Sequence, residues 1–163
     1  MSIKATKTCL ILGIGNYGRQ DDGLGWEFLD MLQKDPNLKV NLQLEYRYQL
    51  QIEDAELLCN YDYIFFVDAS KRILEEGFQI TEGVPSNQYG FTSHSLVPET
   101  ILFLSNQLYE HQPKAYILEI EGFKWSLMQG LSIKAKINLI KAFSYFLKFI
   151  DTELKQNWKM EKI

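Results

Sequence analysis

The sequence predicts an α/β protein, a three-layer α/β/α sandwich with a mainly parallel sheet. Residues 6–14 and 61–69 are nearly continuous apolar runs, as expected of strands that are covered on both faces. Amphipathic stretches of helical period alternate with these strands along the chain, which is typical of a parallel sheet with helices on both sides. No linker, repeat or low-complexity tract interrupts the pattern, so residues 1–163 are predicted to form a single domain.

Period and turn residues predict the individual elements in order. The first strand ends in glycine-rich sequence, and a second strand follows from the strict alternation of apolar and polar side chains before residue 48. Pro36 ends the first helix. The predicted strands are 6–14, 40–47, 62–68 and 115–121, with a weaker edge strand at 77–83. The predicted helices are 23–34, 52–60, 95–111 and 132–154.

Composition excludes several classes of protein. The chain is 46% hydrophobic, with a net charge of −4 and no cluster of arginines, so we expect no nucleic-acid partner. No apolar run approaches the roughly 20 residues of a membrane span, so we expect no membrane association. Cys9 and Cys59 form no Cys-x-x-Cys pair, and the N-terminus lacks the features of a secretory signal. These observations predict a cytoplasmic protein.

The segment after the first strand carries two conflicting signals. Gly13, Gly15 and Gly18 form Gly-x-Gly-x-x-Gly, which is typical of a dinucleotide site and would indicate an oxidoreductase. Asp21 and Asp22 stand where the pyrophosphate would lie, and their charge would repel it. A helix that starts here would use Asp21 as its N-cap and leave Asp22 free to bind a cation. The residues favour a cation site, with nucleotide binding as the weaker alternative.

Three polar residues are expected at one edge of the sheet. Ligands of open α/β sheets bind beyond the carboxyl ends of the strands, and this rule brings together Asp22, Asp68 and His94. Two carboxylates and an imidazole suit a divalent ion such as nickel, zinc, iron or manganese, and three protein ligands leave positions open for a substrate. Each residue also has an ordinary interpretation: a helix-start acid, a strand-end cap and a loop histidine bonded to the backbone. The other histidine, His111, is expected to be solvated.

The same residues carry a family resemblance. The run GIGNYGRQDDGLG at 13–25, Phe-Val-Asp-Ala at 66–69 and Ser-His-Ser-Leu at 93–96 resemble the hydrogenase maturation endopeptidases, over nearly the whole chain. The resemblance implies an endopeptidase that removes the C-terminal extension of a nickel–iron hydrogenase large-subunit precursor. It implies that Asp22, Asp68 and His94 form the catalytic, metal-binding set, and that the nickel arrives with the substrate.

The resemblance also sets the expected partners. The protein partner would be the hydrogenase large-subunit precursor, and the chain is expected to be a monomer. A metal- or client-binding maturation module with the same ligands and no protease activity is the alternative that these residues leave open.

Overall fold

The computed structural model describes residues 8–36, 38, 41–88 and 96–160. Its strands are β1 Cys9–Ile14, β2 Leu42–Arg47, β3 Tyr63–Ser70, β4 Phe78–Glu82 and β5 Lys114–Glu121. Its α-helices are α1 Leu24–Lys34, α2 Asp54–Leu57, α3 Pro98–Tyr109 and α4 Ile133–Met160. A 3₁₀ segment, Tyr17–Gly23, precedes α1, and a 3₁₀ turn, Leu58–Asn60, follows α2.

The five strands form one sheet in the order β2-β1-β3-β5-β4. All neighbours are parallel except β4, which runs antiparallel to β5 at the edge. Strand β2 lies on one side of β1 in the sheet, and β3, the next strand along the chain, lies on the other side of β1. The order therefore reverses between β1 and β3, which is where sheets of this kind bind ligands.

Helices cover both faces of this sheet, which confirms the predicted α/β class. Side chains of successive strand residues point to opposite faces, so Ile11 packs towards Phe28 of α1 and Phe146 of α4 in one core. Leu10, by contrast, packs with Ile101 of α3 in the second core. The single domain over residues 1–163 stays a prediction.

Most predicted elements are found near their expected bounds, with three differences. The first helix begins at Leu24 rather than at the aspartates, because a 3₁₀ segment holds those residues. The helix predicted from residue 95 begins at Pro98, since a proline disfavours helical backbone before it and Val97 is extended. The last helix continues past Leu154 to Met160. No helix in the described ranges is long and apolar enough to span a membrane.

Candidate active site

The glycine-rich loop is packed against the protein's own backbone. A Cβ on Gly15 would lie 2.1 Å from the carbonyl oxygen of Asp22, and the Asn16 N–H donates to that oxygen at 3.0 Å. The Asn16 side chain accepts a hydrogen bond from the N–H of Gly18 at 2.8 Å. The space in which a bound phosphate would meet these glycines is thus taken by peptide groups, which disfavours the nucleotide alternative.

Helix α1 starts directly on the ends of two strands. A Cβ on Gly25 would lie 2.4 Å from the carbonyl oxygen of Ile14 and 2.6 Å from that of Val67, so only glycine allows this approach. The Trp26 indole N–H donates to the carbonyls of Gly13 and Arg47, which ties α1 to β1 and β2. These contacts fix the 3₁₀ segment over the carboxyl edge of the sheet, at the reversal between β1 and β3.

Asp21 does not cap α1, and that sequence interpretation is wrong. Its side chain is fully buried and accepts four hydrogen bonds from the loop between β5 and α4. Oδ2 accepts from the N–H groups of Phe123 at 2.7 Å and Lys124 at 2.9 Å and from the Ser132 hydroxyl at 2.7 Å. Oδ1 accepts from the Ser132 N–H at 2.7 Å. Burial raises the pKa of Asp21, but the bonds from Ser132, Phe123 and Lys124 outweigh it and hold the pKa below its usual value.

Backbone strain accompanies this anchor. Gln20 has φ of 50° and ψ of −117°, a conformation that favours glycine. Its N–H donates to the Met128 carbonyl at 2.9 Å, and its side-chain oxygen accepts from the Ser126 N–H at 3.1 Å. The loop after β5 therefore constrains the residues immediately before Asp22.

Asp22 is partly buried at the carboxyl edge of the sheet. Burial raises the pKa of its carboxyl group, and the positive charges of Arg19 and Lys71 oppose that rise. Lys71 follows β3, and its ammonium group lies 5.1 Å from the centre of the Trp125 ring. Lys71 thus adds a positive charge to the candidate site, and its position just after a strand was the available signal in the sequence.

Asp68 lies in β3 and interacts with Asp22. Its Oδ1 accepts a hydrogen bond from the N–H of Ala69 at 2.8 Å. The pKa of Asp68 is raised to about 7, mainly by burial; the Ala69 bond opposes the rise, and the charges of Asp22 and Glu119 add to it. Gly13 of β1 pairs with Val67 of β3, so these adjacent parallel strands end at the same edge of the sheet. Asp68 near the end of β3 and Asp22 in the segment after β1 therefore lie at that edge.

Glu119 is a third acid in this neighbourhood that the sequence interpretation missed. It is paired with Asp68 across β3 and β5. Its Oε2 accepts from Arg72 at 2.5 Å and from Gln79 at 2.6 Å, so this carboxylate already has partners. Asp68 ends the predicted strand 62–68, whereas Glu119 lies inside the predicted strand 115–121, so the rule on strand ends did not select it.

The predicted histidine of the site, His94, lies outside the described residues. Within the described ranges, no group of three or more His, Cys, Asp or Glu side chains is placed to hold a metal ion. The other histidine is not simply solvated: the His111 ring nitrogen Nε2 lies 3.0 Å from the carbonyl oxygen of Tyr61. The structure thus brings together two of the three predicted residues, Asp22 and Asp68.

Comparison with known proteins adds information at the level of the fold. No protein-family model matches the sequence, and no curated protein matches it. The hydrogenase maturating endopeptidase HybD from E. coli matches with a TM-score of 0.74 and 18% identity, over 90% of this chain and 93% of that one. The [NiFe] hydrogenase maturation protease HycI from Thermococcus kodakarensis matches with a TM-score of 0.68 and 17% identity, over 89% and 93%. The chain has the fold of the hydrogenase maturation endopeptidases.

A third solved structure with this fold comes from another archaeon. The hydrogenase 2 maturation peptidase from a Thaumarchaeota archaeon matches with a TM-score of 0.63 and 17% identity, over 89% of this chain and 99% of that one. The sequence resemblance is therefore confirmed in its fold. In this chain the hydrogenase maturation endopeptidase fold carries Asp22 and Asp68 at the strand-order reversal.

Proposed function

We propose that the chain is an endopeptidase that removes the C-terminal extension of a nickel-loaded nickel–iron hydrogenase large-subunit precursor. The observation that carries the proposal is the pair of interacting carboxylates, Asp22 and Asp68, at the switch point of a fold shared with hydrogenase maturation endopeptidases. A strongly perturbed carboxyl group, such as that of Asp68, is a common property of functional sites at such a position.

In this proposal the carboxylates of Asp22 and Asp68 bind the nickel that is part of the substrate. Carboxylates and imidazole are suitable ligands for such an ion, and His94 is the proposed third ligand. Leu96, two residues further on, pairs with Leu50 after β2. The sequence offers no Gly-x-Ser-x-Gly motif for a serine nucleophile.

The protein groups would act mainly by positioning. Ligands shared between protein and substrate would hold the scissile peptide bond in one place, and immobilisation of that kind can lower the barrier by several kcal/mol, about 7–11 kcal/mol at best. Hydrolysis then adds water across the peptide bond: the hydroxyl joins the carbonyl carbon, the C–N bond breaks and the amine leaves with a proton. Lys71 lies near Asp22 and partly balances the negative charge of the protein ligands.

Nickel loading should decide whether the precursor is cut. The purified chain is expected to shorten nickel-loaded precursor and to leave nickel-free precursor intact, because the carboxylates need the ion to hold the substrate. The measurement is the gel mobility of both precursor forms after incubation. Equal cleavage of the two forms would contradict the nickel-dependent mechanism, while binding without cleavage would indicate a maturation module that is not a protease.

The two histidines provide a matched pair of variants. His94→Ala is expected to lower the rate of precursor cleavage by a factor of about 100 or more, since the site would lose a neutral ligand. His111→Ala should stay within about twofold of wild type, because its ring contacts the Tyr61 carbonyl rather than the site. The same gel assay, with thermal unfolding as a check of folding, measures both. Full activity of the His94 variant would remove that residue from the proposed site.

A further inference from the structure

One surface next to the candidate site combines exposed apolar side chains with positive charge. It comprises the loop after β5 and the outer face of α4 up to Ile150, and we call it the basic–apolar surface. Besides the less exposed rings of Phe123 and Tyr145, its large exposed apolar side chains are Leu127, Met128, Ile133, Ile137 and Ile140. Each of these five has more than half of its side chain in contact with solvent, which is unusual for such a group on one monomer.

The isoleucines form a single stripe on α4. Ile133, Ile137 and Ile140 are spaced by four and three residues, so they lie on one side of the helix. The opposite side of α4, with Leu139 and Phe146, is buried against the sheet. The helix is therefore apolar on two sides, and only one of them has a partner among the described residues.

The charged side chains of the basic–apolar surface itself are all lysines, and Glu27 of α1, which interacts with Lys136, lies at its edge. The sequence from Gly122 to Ile150 has five lysines and no Asp or Glu, in a chain whose net charge is −4. All five lysines are exposed, and none forms an ion pair with a carboxylate in the part of the chain that the structure describes. They are Lys124, Lys134, Lys136, Lys141 and Lys148. Such a surface favours an acidic partner.

The basic–apolar surface is continuous with the candidate site. The loop is held to the 3₁₀ segment by the bonds that Asp21 accepts from Phe123, Lys124 and Ser132, one residue before Asp22. Lys134 lies 5.6 Å from the centre of the Phe123 ring, which joins the loop to α4. A protein bound at Asp22 must therefore lie close to this surface.

A cavity of about 410 Å³ opens at the same junction. Its walls are Tyr17, Gln20, Gly23 and Glu27 on one side and residues 129–131 on the other. Interfaces commonly bury one anchoring side chain in a pocket of this kind. The cavity thus extends the basic–apolar surface towards the site.

We propose that the basic–apolar surface binds an acidic face of the folded client protein whose C-terminal extension the site cleaves. The inference rests on the proposed function and adds how the client is recognised away from the scissile bond. Apolar contact with the isoleucine stripe would supply affinity, and the lysines would select an acidic surface and accelerate encounter.

The test compares two triple variants in the non-cleaving Asp68→Asn chain. Ile133→Ser/Ile137→Ser/Ile140→Ser is expected to raise the Kd for the nickel-loaded large-subunit precursor at least tenfold. The control, Ile73→Ser/Val84→Ser/Leu108→Ser, removes equally exposed apolar groups elsewhere and should stay within about twofold. With Asp68 restored, the stripe variant should raise KM and leave kcat within about twofold, because its residues do not contact the reacting bond.

Salt dependence tests the charged part of the inference. Wild-type affinity should fall between about 50 and 300 mM NaCl, since exposed charges are screened over that range. Lys134→Gln/Lys141→Gln/Lys148→Gln should flatten this dependence, whereas Lys34→Gln on α1 should not.

Several outcomes would overturn the inference. Unchanged precursor affinity in the stripe variant, while the wild-type chain still cleaves, would remove the docking inference and leave the proposed function standing. If the stripe variant keeps its precursor affinity but loses self-association in ultracentrifugation, the surface is an interface with a second copy. If it keeps its precursor affinity but loses binding to phosphatidylserine-rich vesicles, the surface binds a membrane instead. A wild-type chain that neither binds nor cuts the precursor would contradict the proposed function itself.

Discussion

Asp68→Asn is expected to abolish precursor cleavage and at the same time to stabilise the folded chain at alkaline pH. The substitution removes a negative ligand of the proposed site. It keeps the shape of the side chain, and the amide oxygen can still accept the hydrogen bond from the Ala69 N–H. The fold should therefore remain intact while the activity is lost.

The stability gain follows from the raised pKa. The pKa of Asp68 is about 7 in the fold, against an ordinary value of 3.8. The stability that comes with the neutral carboxyl group is therefore fully present below pH 3.8 and is lost as pH rises through 7. Asparagine cannot ionise, so the free energy of unfolding should exceed that of wild type by up to about 4 kcal/mol at pH 8. At pH 5 the gain should be about half of that or less.

Thermal and urea unfolding at the two pH values, with the cleavage assay, measure both effects. Glu76→Gln, an exposed carboxylate changed to an amide in the turn before β4, is the control and should change neither quantity. Full activity in the Asp68 variant would overturn the role proposed for this residue, and a pH-independent stability difference would contradict the raised pKa.

Asp21→Asn is expected to destabilise the chain by about 3 kcal/mol, on the usual scale for hydrogen bonds to a buried charge. All four groups bonded to this carboxylate are donors, and an asparagine would turn an NH₂ group towards at least one of them. The sequence interpretation of Asp21 as a helix cap would instead predict a mild effect, because asparagine also caps helices well.

The neighbouring substitution Asp22→Asn is the matched control. It should alter urea unfolding by less than about 1 kcal/mol, because the Asp22 carboxylate does not anchor the distant loop. Since the pKa of Asp21 is held below its usual 3.8, its contribution is present above that pH and is lost as pH falls through the lower folded-state value. The difference between the Asp21 variant and wild type should shrink accordingly on acidification.

Local pattern was sufficient to predict the sheet and to place two of the candidate residues at one of its edges. Buried strands read as apolar runs, and the rule on carboxyl ends of strands predicted that Asp22 and Asp68 would come together. That pairing needed only the positions of β1 and β3, which are adjacent and parallel. The rule said nothing of Glu119, which lies inside the predicted strand 115–121.

Long-range contacts were beyond the reach of local pattern. Asp21 looked like a cap because helix-start acids are common, but its partners lie more than one hundred residues later in the chain. The raised pKa of Asp68 also depends on burial by several elements, which sequence period does not measure. Only the start of α3 had a local explanation, since Pro98 restricts the residue before it.

The bonds that Asp21 makes set an order of assembly. They join residues separated by 102 to 111 positions, so closing them fixes a long stretch of chain. During synthesis, the 3₁₀ segment leaves the ribosome long before Ser132, and its partner loop does not yet exist. The acids at positions 22 and 68 therefore gain their fixed surroundings only after Ser132 has been synthesised. A nascent chain that stops before α4 would carry both acids on a segment whose anchor is missing, so the proposed activity should appear only once the loop before α4 has formed.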